Sequence, residues 1–196
     1  MSDKYETPDN EKEILPNKLG LNNKGLIEKE EAKGFAKAGI LLGTSLTNET
    51  VIDVYFINNI HKIAFEDLYE FAGKYRTVNM SKGGFTFPAA MFLENSMNDF
   101  QLSILSKLPN SYSSKEALIQ AIAHVHAELL FIHPYREGNG RTARLLANLM
   151  CFKAGFERLK FELLQDKFKE YVRAVQQAGM GNYKAMEEII SLIFPS

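Results

Sequence analysis

The sequence HPYREGNGRTAR, at residues 133–144, determines how the rest of the chain is organised. It follows a long apolar segment with helical periodicity, and Pro134, Gly138 and Gly140 interrupt that periodicity before a second apolar helix begins. Glycines at a loop-to-helix junction let backbone N–H groups approach an anion closely. The positive end of the helix dipole adds favourable potential at the same place. The stretch therefore predicts an anion-binding loop between two helices.

Four side chains of this stretch suit the chemistry of a phosphate ester. Arg141 and Arg144 are three residues apart on the predicted helix, which places two guanidinium groups at neighbouring positions. Glu137 is suited to a magnesium ion that bridges phosphates, and His133 can take a proton from an attacking hydroxyl group. Each feature taken alone is more often structural, as a helix terminus, a turn or a solvated face. Their occurrence together predicts attack on a phosphate ester.

Apolar residues recur at helical spacing on both sides of this stretch. The predicted helices cover about residues 26–42, 51–71, 91–105, 114–132, 142–155, 161–178 and 183–193. Thr50 is the expected N-cap of the second helix, and Ser113 or Ser114 that of the fourth. Between residues 75 and 88 the pattern alternates around a Gly-Gly pair, which predicts a β-hairpin. The expected fold class is all-α with one small β-hairpin.

The composition is that of a globular protein of one domain. The chain has 196 residues, 45% of them hydrophobic, and a formal net charge of −1, so its charge gives no argument for a nucleic-acid or membrane partner. Residues 1–13 are polar and predict a loose tail before a single domain at 14–196. Cys151 is the one cysteine, which excludes an internal disulfide and makes the cytoplasm the default location. The sequence has neither the apolar core of a signal peptide nor a run long enough to cross a bilayer.

Residues 133–144 resemble the signature of the Fic family, His-x-Phe-x-Asp/Glu-Gly-Asn-Gly-Arg-x-x-Arg, with Tyr135 in place of the Phe. Residues 71–78, FAGKYRTV, resemble the family's "WAG-x-x-R" stretch, with Phe71 replacing Trp. Residues 124–132 and 179–186 are similar to the helix before the motif and to the closing segment of small Fic proteins. From about residue 14 onward, the chain is identified as a member of the family, of the small stand-alone bacterial type.

The resemblance implies a role for each position of the motif. His133 would be the general base, and Glu137 would ligate magnesium on the α- and β-phosphates of ATP. Arg141 would grip the β/γ side of the triphosphate, and Arg144 would support it. Tyr183 would pack against adenine, with core packing as an equally good alternative. The phosphate oxygens would be bound by Gly138, Asn139 and Gly140.

The hairpin would be the family's flap, at residues 77–87. It would align a target segment by adding a strand to its edge, whereas the alternative is a hairpin that only covers the core. The residues expected to dock the target are Thr77, Val78, Asn79, Met80, Ser81, Lys82, Gly83, Gly84 and Phe85.

By resemblance, the enzyme would transfer AMP from ATP to a Tyr, Thr or Ser hydroxyl of a target protein and release pyrophosphate. The unaltered Gly-Asn-Gly-Arg portion favours AMP transfer over the phosphate transfer of Doc-type relatives. A type II topoisomerase is a target that the resemblance suggests. Two alternatives stay open: a Fic enzyme that moves UMP, phosphocholine or phosphate, and a catalytically idle Fic-fold binding protein.

Many Fic proteins carry an inhibitory helix with the pattern Ser/Thr-x-x-x-Glu-Gly/Asn, whose glutamate pairs with the second arginine of the motif, here Arg144. The pairs Ser2/Glu6, Thr7/Glu11 and Ser45/Glu49 have the spacing, but neither Gly nor Asn follows the glutamate. We therefore expect the chain to be the toxin of a toxin–antitoxin pair, in which a separate antitoxin supplies that glutamate.

The remaining titratable residues predict structural roles. His124 and His126 are two apart and face different sides of a helix, which argues against a shared metal ion. His61 lies in an apolar helix and predicts an interior or flanking position, and Cys151 predicts a buried one. The mixed charges at residues 28–33 predict a solvated helix face.

Overall fold

The computed structural model describes residues 14–82 and 85–195. Within these ranges the chain is mostly helical with one small antiparallel hairpin, which confirms the predicted fold class. The predicted tail at 1–13 lies outside the described residues. The elements are α1 Lys24–Ser45, α2 Val54–Phe65, β1 Ser81–Lys82, β2 Phe85–Thr86, α3 Leu93–Ser103, α4 Lys115–Ile132, α5 Asn139–Lys153, α6 Phe168–Ala178 and α7 Lys184–Ile193. Short 3₁₀ turns are formed by Ala90–Phe92, Leu105–Lys107 and Phe161–Lys167.

Helix α4 forms the centre of the fold and packs against α5, α6 and α7. The Ser114 hydroxyl accepts a hydrogen bond from the Ala117 amide, which confirms one of the two predicted N-caps. Buried residues occupy several faces of α4, as expected of a helix surrounded by others. Residues 133–138 connect α4 to α5, and together with the first residues of α5 they are called the 133–144 loop below. Because α4 ends at its start and α5 begins within it, these two well-packed helices fix the position of the loop.

Helices α1 and α2 cross at very short range. A Cβ atom on Gly34 would lie 1.8 Å from the Ala64 carbonyl oxygen, so only glycine permits this approach. Glycine costs about 1 kcal/mol in helix propensity relative to alanine. The close packing of α1 on α2 offsets that cost, and α1 is therefore a continuous helix despite Gly34 and Gly39.

Two predicted features of α2 are wrong. The helix begins after Asp53, whose carboxylate accepts a hydrogen bond from the Phe56 amide at 2.7 Å, whereas the Thr50 hydroxyl accepts one from Thr47. It ends at Phe65 rather than near 71, because residues 66–73 form turns that place Leu68 and Tyr69 in a separate apolar cluster with Ile27. Two acceptable cap residues close together in sequence left this start ambiguous.

Smaller deviations occur elsewhere in the fold. Helix α5 begins at Asn139 instead of 142, and Phe161–Lys167 is a 3₁₀ turn rather than α-helix. The hairpin strands have two residues each, with Ser81 opposite Thr86, and are shorter than the predicted extended runs. No helix within the described ranges has both the length and the apolar character needed to span a bilayer.

Candidate active site

The 133–144 loop opens with a residue in the left-handed conformation. His133 has φ 53° and ψ 57°, and its amide donates to the Leu129 carbonyl at 3.1 Å. A left-handed residue at a helix C-terminus turns the chain sharply away from the helix axis. Non-glycine residues rarely adopt this conformation, so the packing around His133 must hold it there.

The His133 imidazole is buried and its orientation is fixed. Its Nδ1 atom donates to the Leu130 carbonyl at 3.1 Å, so that Nε2 carries the lone pair. Phe87 stacks on the ring at 3.9 Å between centroids. Burial lowers the pKa of His133 to about 3, with smaller lowering contributions from the charges of Arg76 and Lys82. The ring is therefore neutral near pH 7, which is the form that a general base requires.

Arg76 connects the hairpin to the start of the loop. Its guanidinium donates to the carbonyl oxygens of His133 at 2.8 Å, Val78 at 2.7 Å and Pro88 at 2.5 Å. Its backbone amide donates to the Pro134 carbonyl at 2.8 Å. Burial lowers its pKa to about 10, which still leaves the group charged near pH 7. One buried arginine thus sets the position of the hairpin relative to His133.

Tyr135 occupies the position at which the Fic signature has Phe. Its ring stacks on His61 at 3.9 Å and is fully buried. Its hydroxyl donates to Asn58 Oδ1 at 2.7 Å, so the additional oxygen relative to Phe has a partner.

His61 holds the middle of the loop. Its Nδ1 accepts a hydrogen bond from the Gly73 amide at 2.8 Å, which makes Nε2 the protonated atom, and Nε2 donates to the Glu137 carbonyl at 3.1 Å. Burial lowers the pKa of His61 to about 4, so this neutral tautomer persists near pH 7. The predicted interior position of His61 is confirmed. The contact with Glu137 could not be predicted, because the two residues are 76 positions apart.

Asn139 closes the loop with its side chain. Its Oδ1 accepts from the Tyr135 amide at 2.8 Å, and its Nδ2 donates to the Tyr135 carbonyl at 2.7 Å. Because both ends of the side-chain amide are used in this way, the backbone N–H is the group that Asn139 can offer to an anion.

The N-terminus of α5 has the features of an anion site. Gly138 is its N-cap, with φ 77°, and provides no side-chain hydrogen bond to the helix. A Cβ atom on Gly138 would lie 2.4 Å from the Phe65 ring, so the tight passage of the loop requires glycine. The first N–H groups of a helix, here those of residues 139–141, have no intrahelical acceptor. They are the donors that a phosphate group would meet.

The Glu137 carboxylate lies at the edge of this site and is about one-third exposed. Its Oε1 accepts from the Gly138 amide at 2.8 Å and lies 3.4 Å from Arg141 Nη2, while Oε2 makes no hydrogen bond with the described residues. Within residues 14–82 and 85–195, no cluster of three or more His, Cys, Asp or Glu side chains could enclose a metal ion. A single carboxylate fits magnesium, which is usually held by one or two carboxylates together with substrate phosphates.

The two motif arginines contact different parts of the protein. Arg141 Nη1 donates to Glu31 Oε2 on α1 at 2.8 Å, and the guanidinium lies against the rings of Phe35 and Phe65. Arg144 is exposed and lies over the Phe161 ring, 5.7 Å from its centroid. Arg141 therefore contacts α1 and α2, and Arg144 contacts the 3₁₀ turn that precedes α6.

The burial of Glu31 contradicts the prediction that residues 28–33 form a solvated face. It is only 6% exposed, and its second oxygen accepts from the Tyr69 hydroxyl at 2.7 Å. Ile27, Ala38 and Leu42 lie on the same buried face of α1. The sequence feature that could have predicted the burial of Glu31 is its position four residues after Ile27, where the helical period places an apolar residue.

Tyr183 lies at the interface of α4 and α7. Its hydroxyl donates to Glu128 at 2.9 Å, and its ring stacks on His124, which also contacts Glu187 at 2.9 Å. No described hydrogen bond joins Tyr183 to the 133–144 loop. These contacts account for Tyr183 as an interface residue, and its predicted contact with adenine stays a prediction.

His126 faces a different side of α4 from His124, as predicted. It is buried between the Ala143 carbonyl at 3.0 Å and the Tyr171 hydroxyl at 2.6 Å. Cys151 is also buried, as predicted, and burial raises the pKa of its thiol to about 12.

The predicted flap residues differ in exposure. Thr77 and Asn79 are exposed, and Asn79 Oδ1 accepts from the Ala90 amide, whereas Met80 is 2% exposed and belongs to the interior. Val78, Ser81, Lys82 and Phe85 are half-buried, and Gly83 and Gly84 lie outside the described residues. Through Phe87, the hairpin lies directly against the His133 ring.

Comparison with known proteins shows the family to which the chain is similar. Residues 51–151 match the Fic/DOC family. "Protein adenylyltransferase Fic" of Nematostella vectensis is 31% identical over 173 residues, which is 87% of this chain. The chain spans 39% of the length of that relative.

Solved structures show the same fold. The N-terminal FIC domain of a VirB-translocated effector protein from Bartonella sp. 1-1C superposes with a TM-score of 0.76 at 22% identity, covering 94% of this chain and 92% of that one. The BepC protein of Bartonella tribocorum, solved with bound AMPPNP, superposes with a TM-score of 0.73 at 18% identity, covering 93% of each chain. With the family match over more than half of its length, the chain belongs to the Fic/DOC family.

Proposed function

We propose that this chain is a protein adenylyltransferase, which transfers AMP from ATP to a hydroxyl side chain of another protein. The observation that carries the proposal is the neutral, buried imidazole of His133 beside the uncapped N-terminus of α5. The name of the Nematostella relative and the AMPPNP in the Bartonella tribocorum structure support ATP as the substrate.

Each step of the reaction has a group to perform it. His133 Nε2 takes the proton of the target hydroxyl as its oxygen attacks the α-phosphorus. The new bond joins that oxygen to the α-phosphorus, the bond from the α-phosphorus to the β-phosphate oxygen breaks, and pyrophosphate leaves. The backbone amides of residues 139–141 bind the phosphate oxygens, and Arg141 and Arg144 balance the charge of the leaving pyrophosphate.

Glu137 is the residue that would hold magnesium, since it offers a carboxylate oxygen at the edge of the anion site. The bound ion supplies charge neutralisation on the phosphate oxygens. His61 fixes the Glu137 carbonyl and so keeps the Glu137 carboxylate at the edge of the anion site.

The hairpin would align the target. A segment of the target protein would pair with it as a third strand, so that main-chain hydrogen bonds bring a hydroxyl residue to His133 whatever its flanking sequence. The stacking of Phe87 on His133 supports this placement, because it fixes the hairpin next to the base.

Incubation with α-labelled and γ-labelled ATP tests the proposal. With magnesium and a lysate or a type II topoisomerase as acceptor, label from the α position should reach protein and label from the γ position should not. His133→Ala should reduce the transfer by about 10²–10⁴-fold. His124→Ala, which alters a histidine of the α4–α7 interface, is the matched control and should retain activity. Transfer of the γ label would identify a phosphotransferase instead, and transfer that His133→Ala leaves unchanged would exclude the proposed base.

We also propose that a separate antitoxin restrains the enzyme. Among the described residues, no carboxylate forms an ion pair with Arg144, so this arginine is accessible to a glutamate from another chain. Expression of the chain alone in bacteria should arrest growth, and expression of His133→Ala should not. Normal growth with the unaltered chain, accompanied by weak transfer in vitro, would argue against a separate inhibitor.

A further inference from the structure

A chain of polar contacts runs from α1 into the 133–144 loop. The Tyr69 hydroxyl donates to Glu31 Oε1 at 2.7 Å, Arg141 Nη1 donates to Glu31 Oε2 at 2.8 Å, and Arg141 Nη2 lies 3.4 Å from Glu137 Oε1. Both oxygens of Glu31 are thus used. The contact between Arg141 and Glu137 is the longest of the three: it is an ion pair whose hydrogen bond is weak.

The environment of Glu31 shows that it is the stronger partner of Arg141. The Glu31 side chain is 7% exposed, against 31% for Glu137. A buried carboxylate is stable only when it is paired and hydrogen-bonded. Burial and the hydrogen bond to Glu31 raise the pKa of Tyr69 well above its usual range, so its hydroxyl remains a donor at all moderate pH values.

The Arg141 guanidinium is also held by two aromatic rings. Its central carbon lies 5.1 Å from the Phe35 centroid and 5.6 Å from the Phe65 centroid, within the range of cation–π contacts. An arginine carries five N–H donors, and only one nitrogen, Nη1, is used by Glu31. The other donors remain for the loop and for a phosphate.

We propose that Glu31 is a positioning residue that draws Arg141 toward α1, so that the pairing of Arg141 with Glu137 stays weak and the Glu137 carboxylate is left to a metal–nucleotide complex. This role rests on the proposed function. Glu137 Oε1 lies 3.4 Å from Arg141 Nη2, close enough for the two opposite charges to pair. Without the charge of Glu31, Arg141 would form that pair in full and would compete with magnesium for the carboxylate.

Calorimetric titration with AMPPNP at several MgCl₂ concentrations tests this role. Glu31→Gln keeps the shape of the side chain and its bond with Tyr69 but removes its charge. We expect this variant to need about ten-fold more magnesium for half-maximal AMPPNP binding, an effect typical of groups that orient a metal ligand. Glu30→Gln is the matched control, because Glu30 pairs with the exposed Lys33 on the same helix, and it should bind like the unaltered chain.

Three results would overturn the inference in distinguishable ways. An unchanged magnesium requirement in Glu31→Gln would exclude the positioning role while leaving the proposed function intact. Tighter AMPPNP binding and faster AMP transfer would make Glu31 an inhibitory contact instead. Absence of AMPPNP binding by the unaltered chain would refute the proposed function, and the inference with it.

A second variant, Tyr69→Phe, keeps the inference testable if Glu31→Gln does not fold. Tyr69→Phe keeps the Glu31–Arg141 ion pair but removes the other hydrogen bond to Glu31. We expect it to raise the magnesium requirement in the same direction by a smaller factor. A crystal structure of Glu31→Gln with Arg141 still bound to residue 31, together with a raised magnesium requirement, would contradict the competition between Arg141 and magnesium for Glu137.

Discussion

Arg76, His61 and Asn139 hold the 133–144 loop by binding its backbone. They bind the carbonyl of His133, the carbonyl of Glu137 and both polar groups of the Tyr135 backbone, respectively. Backbone contacts of this kind fix the path of a loop without using the side chains that perform chemistry. The backbone that carries His133 and Glu137 is therefore positioned by side chains that take no part in the proposed reaction.

Tyr135→Phe tests whether the departure from the Fic signature is structural. The change removes the hydrogen bond to Asn58 and leaves the stacking on His61 in place. We expect the free energy of unfolding to fall by about 1 kcal/mol, measured by urea denaturation. AMP transfer should remain within about two-fold, because the hydroxyl group points away from the loop toward α2. A much larger loss of activity with unchanged stability would show that the hydroxyl takes part in the reaction.

At the scale of elements, the crossing of α1 and α2 decides how the site is completed. Gly34 permits the contact with the Ala64 carbonyl, and the same crossing places Glu31 and Phe35 of α1 beside Arg141. The contact of Phe65 with Gly138 connects α2 to the start of α5. The site thus depends on three helices rather than on the motif segment alone.

Substitution of Gly34 and Gly39 by alanine provides a matched pair on α1. Gly34→Ala inserts a Cβ atom 1.8 Å from backbone and should destabilise the fold by about 1–3 kcal/mol or more. In Gly39→Ala the nearest atom, in the Leu145 side chain, would be 3.5 Å away, so helix propensity should dominate and stabilise the protein by up to about 1 kcal/mol. Thermal and urea unfolding measure both effects. Equal effects of the two substitutions would contradict the described crossing.

Local signals in the sequence predicted most of the elements, and tertiary contacts explain the errors. The Ser114 cap, the hairpin near 81–86 and the helices on either side of the motif follow from capping, turn and periodicity rules. The start of α2 was wrong because Asp53 and Thr50 are both acceptable caps. Glu31 was predicted to be exposed because its partner Arg141 is 110 residues away. The tautomer of His61 likewise depends on two distant backbone groups.

At the scale of the whole molecule, three buried histidines couple stability to pH. Burial lowers the pKa of His61 and His126 to about 4 and that of His133 to about 3. In the unfolded chain each would titrate near 6.5. Between these values the unfolded state binds more protons than the folded state, so acid favours unfolding. The contribution of the histidines is complete above pH 6.5 and is lost as the pH falls toward 4.

The free energy of unfolding should therefore fall steeply between pH 6.5 and pH 4. The slope can reach about 4 kcal/mol per pH unit where all three groups take up a proton on unfolding. Glu128, whose pKa is raised by burial, opposes this trend in part. Urea denaturation at pH 7, 6 and 5 measures the slope. His126→Gln should reduce the slope by the contribution of about one proton. Equal stability at pH 7 and pH 5 would show that these histidines are not buried in neutral form.

A crystal structure of the chain with magnesium and AMPPNP tests the central claim most directly. We expect the triphosphate at the N-terminus of α5, with its phosphate oxygens on the amides of residues 139–141, the metal on Glu137 and the α-phosphorus facing the His133 imidazole. A nucleotide bound elsewhere, or one whose α-phosphorus faces away from His133, would contradict that claim.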